Sequence, residues 1–266
     1  MSGTSAYAFD NASEHAGGRF DALQTCYDPV TFARLADLGV TPGMRCLDVG
    51  GGGGSVAAWL ADRVGPEGTV LVTDIEPRWL TGTEAHSTVR VVRHDITRDD
   101  LPEGDFDLIH ARLVLIHLPE RLAALDRMVR ALRPGGRLVL DEFDCAWVPV
   151  LSAPSPEEAT LFETVHDALM DLLTRAGADP RWGLRTYDAL RAAGLTDVAS
   201  ATWAGAWPGG GAGVRLHEAN VRQVRDRLVA ECGVPDVDID AFLRLLDDPA
   251  FAVNSYPLIS TWGTRP

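Results

Sequence analysis

An α/β fold, a mostly parallel sheet with helices on both faces extended by a helical cap and lid, is what this sequence predicts. Two observations carry that prediction. Apolar, β-branched runs alternate with segments of helical spacing from residue 45 to 144, and three further amphipathic stretches stand outside the alternation.

The elements follow in order. Residues 1–44 carry Phe20, Leu23 and Tyr27, then Phe32, Leu35 and Leu38 at helical spacing behind Pro29, so a helix is expected to start near Pro29. Arg45–Val49 is the first strand. Val56, Leu60 and Val64 mark a helix that Gly65-Pro66 ends. Thr69–Ile75 is a second strand, Val89–Val92 leads a third into His94-Asp95, and Phe106–Ile109 is a fourth. Pro119 suits the first turn of a helix, and Leu122, Leu125, Met128, Val129 and Leu132 form its apolar face. Pro134-Gly135-Gly136 stops that helix and launches a fifth strand over Leu138–Leu140. Leu161, Phe162, Val165, Leu169, Leu172 and Leu173 predict a helix within 155–177. Between the glycine stretch at 209–213 and Pro249 lie two more, with Val221, Val224 and Leu228, then Phe242, Leu243 and Leu246. Ligands of open α/β sheets bind outside the carboxyl ends of the strands, so helices inserted there form a lid, with the glycines at 209–213 expected to hinge it. The 266 residues read as a single domain: a cap over 1–44, a ligand-binding core over 45–144, lid insertions at 145–182 and 209–250, and a last strand in 251–266.

Composition narrows the partners. The chain is acidic, with a net charge of −14 and no Lys/Arg block, which argues against a nucleic-acid backbone as partner. Cys26, Cys46, Cys145 and Cys232 are widely spaced, so reduced thiols are expected. No cluster of His, Cys, Asp or Glu has ligand spacing, and Asp236–Asp240 reads as a charge cluster at a helix N-terminus; no metal is expected. No basic stretch precedes an apolar run and no apolar run reaches membrane-spanning length, so a soluble, cytoplasmic protein with no membrane partner is expected, with a homodimer as one option for its assembly.

The strongest local signal is Leu47-Asp48-Val49-Gly50-Gly51-Gly52-Gly53-Gly54-Ser55, with Asp74 twenty residues after Gly54. Glycine admits positive φ and lets a ligand approach the backbone, so such a turn can wrap a nucleoside. A carboxylate about 20 residues on is where ribose hydroxyls are accepted. A dinucleotide fingerprint counted from Gly50 needs glycine at 55, which is Ser55 here. Gly50, Gly52 and Gly54 fit G-x-G-x-G instead, which speaks against a nicotinamide dinucleotide.

Five motifs in register resemble the class I S-adenosylmethionine-dependent methyltransferases. They are the glycine run with Asp74, Arg93-His94-Asp95-Ile96, Phe106-Asp107-Leu108-Ile109, Leu115-Ile116-His117-Leu118-Pro119, and Leu132-Arg133-Pro134-Gly135-Gly136-Arg137-Leu138. The pattern is similar to the branch that holds ubiquinone-type and actinobacterial small-molecule methyltransferases. Pro257-Leu258-Ile259 to Trp262-Gly263 resembles its last strand. The resemblance implies a Rossmann-like seven-stranded sheet, S-adenosyl-L-methionine as cofactor and a small-molecule methyl acceptor, plausibly a specialised metabolite methylated on oxygen. Gly50 and Gly52 then hug the methionine part, with Asp48 and Gly54 completing the motif. Asp74 takes the ribose hydroxyls, Ile75 packs on the adenine, and Asp95 and Ile96 meet the adenine edge. Ala111 and Arg112 line the methionine end, and Arg19 of the cap is a second candidate for the cofactor carboxylate. Gly51, where the family usually has Cys or Ala, puts little in doubt.

A hydroxyl acceptor needs a base, and histidine titrates near neutrality. His117 is the first candidate, and His110 is either a second base or a packed core histidine. Glu142 and Asp144 are expected to face the pocket or to be solvated. His15, His86, His94 and His166 are given no role, and Trp203 and Trp207 read as core packing. Two rival readings keep the cofactor: a reaction other than methyl transfer, and a non-catalytic binding module.

Overall fold

The computed structural model describes residues 15–80 and 82–266; the polar N-terminus read above for a leader lies outside them, as does the side chain of His15. Its central sheet has seven strands in the order β3-β2-β1-β4-β5-β10-β7. These are β1 (Arg45–Val49), β2 (Thr69–Asp74), β3 (Val89–Arg93), β4 (Phe106–Arg112), β5 (Leu132–Phe143), β7 (Thr196–Trp203) and β10 (Leu258–Thr264). β1 pairs in parallel with β2 and β4, and β10 runs antiparallel between β5 and β7. Strand order therefore reverses between β1 and β4, and a crevice opens at their carboxyl ends.

Alternation along the strands builds two cores. Leu47, Val49, Ile109, Ala111, Leu138 and Leu140 belong to one cluster, and Cys46, Val70, Val72, Leu108 and Val139 to the other, on opposite faces as period two requires. The second face is covered by α2 (Ser55–Val64), through Val56, Leu60 and Val64. α3 (Arg121–Ala131) lies against the first, while α4 (Pro156–Arg175), α6 (Val214–Cys232) and α7 (Asp236–Leu245) pack on one another and join the same core. A short α5 (Thr186–Ala192) precedes β7. Ser155 caps α4 by accepting the Glu158 N–H at 3.2 Å. Arg225 of α6 pairs with Asp236 and Asp240 at 2.7 Å each, which explains the acidic cluster at the start of α7.

Four local expectations are corrected. The first helix, α1, spans His15–Asp37 and runs through Pro29 rather than starting there. Pro29 gives up one helical bond to Thr25, but the helix is pinned on both sides of it: Tyr27 Oη donates to the Tyr256 carbonyl (2.8 Å) and Asp28 accepts from Arg112 (2.8 Å). β5 absorbs Pro134-Gly135-Gly136, with a register shift opposite Phe106 and Leu108 and Gly135 at φ 78°. A second, three-stranded antiparallel sheet was not anticipated: β6 (Val150–Ser152), β9 (Ala252–Asn254) and β8 (Ala206–Pro208). Finally, 209–213 is clamped rather than loose. Gly209 and Gly210 N–H groups donate to Phe251 and Leu246 carbonyls, each at 2.8 Å. A Cβ on Gly209 would stand 1.9 Å from the Asp248 carbonyl oxygen, and one on Gly213 2.1 Å from the Trp207 ring.

No described helix is long and apolar enough to cross a membrane.

Candidate active site

The turn after β1 is suspended from the end of β2. Gly50 and Gly51 donate to the Thr73 carbonyl at 2.7 and 3.2 Å. Gly52 N–H then donates to Asp74 Oδ2 (3.1 Å), and Glu76 N–H to Asp74 Oδ1 (2.8 Å). Gly50, Gly52 and Gly54 all have positive φ (69°, 53° and 88°), which β-carbons oppose. Space excludes them as well: a Cβ at Gly50 would lie 2.4 Å from Val114, and one at Gly52 3.1 Å from the Phe20 ring of α1. Gly51 matters more than its sequence implied, because Val72 (2.4 Å) and Leu80 (2.7 Å) fill the space a Cβ needs. Gly54 is buried and stands at the N-cap of α2; it orients the helix and does not line the cavity.

A cavity of about 210 Å³ opens in front of this turn. Asp74 is 8% exposed at its edge, its carboxyl raised by burial and drawn back by the Glu76 and Gly52 N–H groups. Each oxygen takes one N–H and keeps a lone pair, an arrangement suited to a cis-diol. Ile75, 43% exposed, and buried Ile96 line the same cavity and offer an apolar slot between them. Asp95 lines it too, while its Oδ1 accepts from Thr97 N–H (2.9 Å) and Thr97 Oγ1 (2.6 Å). α1 closes the top with Arg19, Phe20, Leu23 and Gln24, so the N-terminal cap touches the site directly.

The sequence misassigned several neighbours. Ala111 is fully buried within β4, between Val49 and Leu140, and Leu113 and Val114 line the cavity in its place. Arg112 lines the cavity but is tied to α1 through Asp28, which also accepts from Ser55 at 3.0 Å. Glu142 and Asp144 are buried, not solvated. Glu142 accepts the Leu115 N–H (2.8 Å) and Ile116 N–H (3.3 Å), and burial pushes its carboxyl up to about 8. It thereby fixes the single turn Leu115–His117 that carries His117 to the cavity. His94 lines the cavity. His166 is buried against Phe162 rather than in a polar setting. Trp203 and Trp207 pack on Tyr27 in the core.

Both histidine candidates line the cavity, but they differ in charge and partners. His110 is 0% exposed, with Nδ1 2.8 Å from Asp48 Oδ1 and Nε2 3.5 Å from Asp141 Oδ2. Burial opposes its charge, yet the carboxylates of Asp141 and Asp48 outweigh that and push the imidazole up to about 9. An imidazolium gripped by two carboxylates has no lone pair to offer at neutral pH, so His110 is a core histidine and not a base. Thr31 and Ser260 complete the network by donating to Asp141 at 2.6 and 2.5 Å. His117 lines the cavity, and burial together with Arg19 and Arg121 lowers it to about 3. Sequence reasoning missed Glu142 as the support of His117. It also missed the far wall of the cavity, where Met170, Leu173, Leu216, Asn220 and Tyr256 look in. The helical spacing of α4 and α6 was visible, but not the face they present. Among the described residues no group of His, Cys, Asp and Glu is arranged to hold a metal ion.

Residues 47–140 match the family model described as a methyltransferase domain. The ubiquinone/menaquinone biosynthesis C-methyltransferase UbiE of Laribacter hongkongensis is 35% identical over 121 residues, which is 44% of this chain and 50% of the relative. Its counterpart in Cupriavidus necator is 34% identical over 124 residues, 45% of this chain and 51% of the relative. The chain thus spans about half the length of these curated relatives. Among solved structures, Haemonchus contortus phosphoethanolamine N-methyltransferase 2, bound to S-adenosylhomocysteine, aligns with a TM-score of 0.59 at 14% identity over 99% of this chain and 61% of that one. The YcgJ protein of Bacillus subtilis aligns with a TM-score of 0.54 at 15% identity over 88% and 98%. At these identities the likeness is one of fold, Rossmann-like in both cases.

Residues 47–140 are thus similar to a methyltransferase domain, and S-adenosylmethionine is the cofactor that this similarity implies. The residues fit it. A glycine cradle that any Cβ would fill faces the cavity, and Asp74 keeps free lone pairs. Asp48 Oδ2 is buried without a hydrogen-bond partner, a group that an ammonium would satisfy.

Proposed function

We propose that this chain transfers the methyl group of S-adenosylmethionine to a small, largely apolar molecule, on oxygen. The observation that carries the reading is a single cavity with the glycine turn and Asp74 at one part of its lining and an apolar wall at another. When bound, the cofactor supplies a methyl carbon already activated by its sulfonium, so the protein's task is placement and electrostatics. Alignment of two reactants is worth roughly 7–11 kcal/mol of barrier. Asp74 and the turn hold the nucleoside, α1 closes over it, and water is displaced from the apolar wall. An apolar lining of this kind suits a natural-product scaffold.

His117 is the base in this reading. It is neutral at physiological pH and keeps a lone pair, but at about 3 it is weak. A carboxylate placed beside Arg19 would offset part of the depression. Weak basicity calls for an acceptor that is itself acidic, a phenol or enol rather than an alkanol. Such an acceptor is also nucleophilic at the neighbouring ring carbon. The UbiE relatives are C-methyltransferases, which favours that second site of methylation. Four free cysteines, two of them buried, accord with a cytoplasmic setting.

Methyl-labelled S-adenosylmethionine and a phenol library, followed by mass spectrometry, test the proposal. Labelled product and S-adenosylhomocysteine should appear together in equal amounts. Cofactor binding with no labelled product from any acceptor would leave a binding module, and product without label would indicate a different reaction.

A further inference from the structure

Where α4, α6 and the approach to β10 line the cavity, the lining is apolar except for two polar side chains on different elements. Asn220, on α6, and Tyr256, just before β10, both line it, and each is at most 8% exposed. Tyr256 is clamped at both ends. Its hydroxyl lies 3.1 Å from His217 Nδ1, and its carbonyl accepts from Tyr27 Oη at 2.8 Å. Asn220 Oδ1 is buried with no hydrogen-bond partner, while the same side chain reaches the Tyr256 hydroxyl. Leaving an amide oxygen unpaired in the interior costs free energy, and an apolar residue of similar shape would avoid that cost.

We propose that Asn220 and Tyr256 form the anchoring point for the methyl acceptor, and that they recognise a neutral hydroxyl carried by an otherwise apolar molecule. This deepens the methyltransferase reading and rests on it. A hydroxyl both donates and accepts, so it can satisfy Asn220 Oδ1 and meet the Tyr256 hydroxyl at once. Neutrality follows from the immediate surroundings, since Met170, Leu173 and Leu216, which line the cavity from the same helices, carry no charge. His217 and His166 are pushed down by burial and stay neutral, and burial raises Tyr256, which stays protonated. A carboxylate, phosphate or ammonium on the acceptor would meet no counter-charge there, and its desolvation would go uncompensated. His217 acts at one remove, as the residue that positions the Tyr256 hydroxyl.

The test uses the S-adenosylhomocysteine-loaded protein and calorimetry with four probes: 1-naphthol, its near-isostere 1-methylnaphthalene, 1-naphthoate and 1-naphthyl phosphate. 1-Naphthol should bind roughly tenfold more tightly than 1-methylnaphthalene, the worth of leaving one buried polar group unpaired. The two anions should bind more weakly than either. In Asn220→Leu and in Tyr256→Phe the naphthol preference should shrink toward unity while S-adenosylhomocysteine affinity stays unchanged. A merely structural role would not move that ratio. Equal affinity for the first two probes in the wild-type protein, tighter binding of either anion, or no naphthol binding up to its solubility limit would overturn the anchor. So would an unaltered preference in both folded variants. Should the variants fail to fold, the wild-type comparison still decides. Failure of the methyltransferase reading shows separately, as absence of S-adenosylhomocysteine binding or of labelled product.

Discussion

At the scale of single residues, the buried Asp48–His110–Asp141 network makes the firmest prediction. His110→Leu leaves two carboxylates without their cation, and removing one partner of a buried ionic group costs roughly 3–5 kcal/mol. Denaturant unfolding should show that loss. Were His110 a base instead, stability would hold and only turnover would fall. Asp74→Ala should weaken S-adenosylmethionine binding at least tenfold, since hydrogen bonds to a charged group are worth roughly 1.5–3 kcal/mol each. Because Asp74 also holds the Gly52 and Glu76 N–H groups, Asp74→Asn is the cleaner variant for the same titration. Unchanged affinity in either folded variant would remove the ribose assignment. His117→Asn should cut turnover by roughly 10²–10⁴-fold with cofactor affinity unaltered. With His117 near 3, the pH–rate profile should lack a rise around 6.5 attributable to it. The glycine turn, Asp74 and His117 were legible because a motif fixes their spacing. Asp48's partner was not, since His110 and Asp141 meet it only across the sheet, and no local pattern encodes that pairing.

At the scale of elements, the segment 209–213 was read as a hinge from its glycines. Its glycines serve close approach instead. Gly213→Ala should cost roughly 1–3 kcal/mol or more, as overpacking does, because the added methyl meets the Trp207 ring. Hydrogen exchange should show Gly209 and Gly210 amides protected to a similar degree with and without cofactor, given their bonds to Phe251 and Leu246. Rapid exchange that slows on binding would restore a moving lid. Glycine content alone cannot distinguish freedom from crowding, since both exclude a Cβ. Proline misled in the same way at Pro29, where tertiary anchors at Tyr27 and Asp28 hold a helix that propensity would end. By contrast β1, β2, α2 and α4 fell within a residue or two of their sequence limits, because the two helices each bury one face with an unbroken period and the two strands are short apolar runs buried on both faces.

At the scale of the whole molecule, buried titratable groups set where the fold is most stable. His117, at about 3, His166, at about 4, and His217 are held neutral, so the unfolded chain binds more protons below 6.5 and stability falls as pH drops through that value. Glu142 and His110 act oppositely. Their contributions are complete below 4.5 and 6.5 and are lost as pH rises through about 8 and about 9. Between 4.5 and 6.5 three histidines outweigh one glutamate, so thermal unfolding should peak near pH 6.5 and decline on both sides. A midpoint still rising between pH 7 and 9 would contradict this balance. The parallel core was legible from strand and helix alternation, whereas the three-stranded sheet was not, its strands being three residues each. The place of β10 in the sheet has a further consequence, for synthesis. β7 has β10 as its one neighbour, and β5 needs β10 to cover its outer edge, yet β10 is made after both. Until residue 264 has emerged, a nascent chain displays two unpaired strand edges on either side of a missing strip. Such edges template pairing with other chains, so product truncated after α7 should aggregate where full-length chain does not.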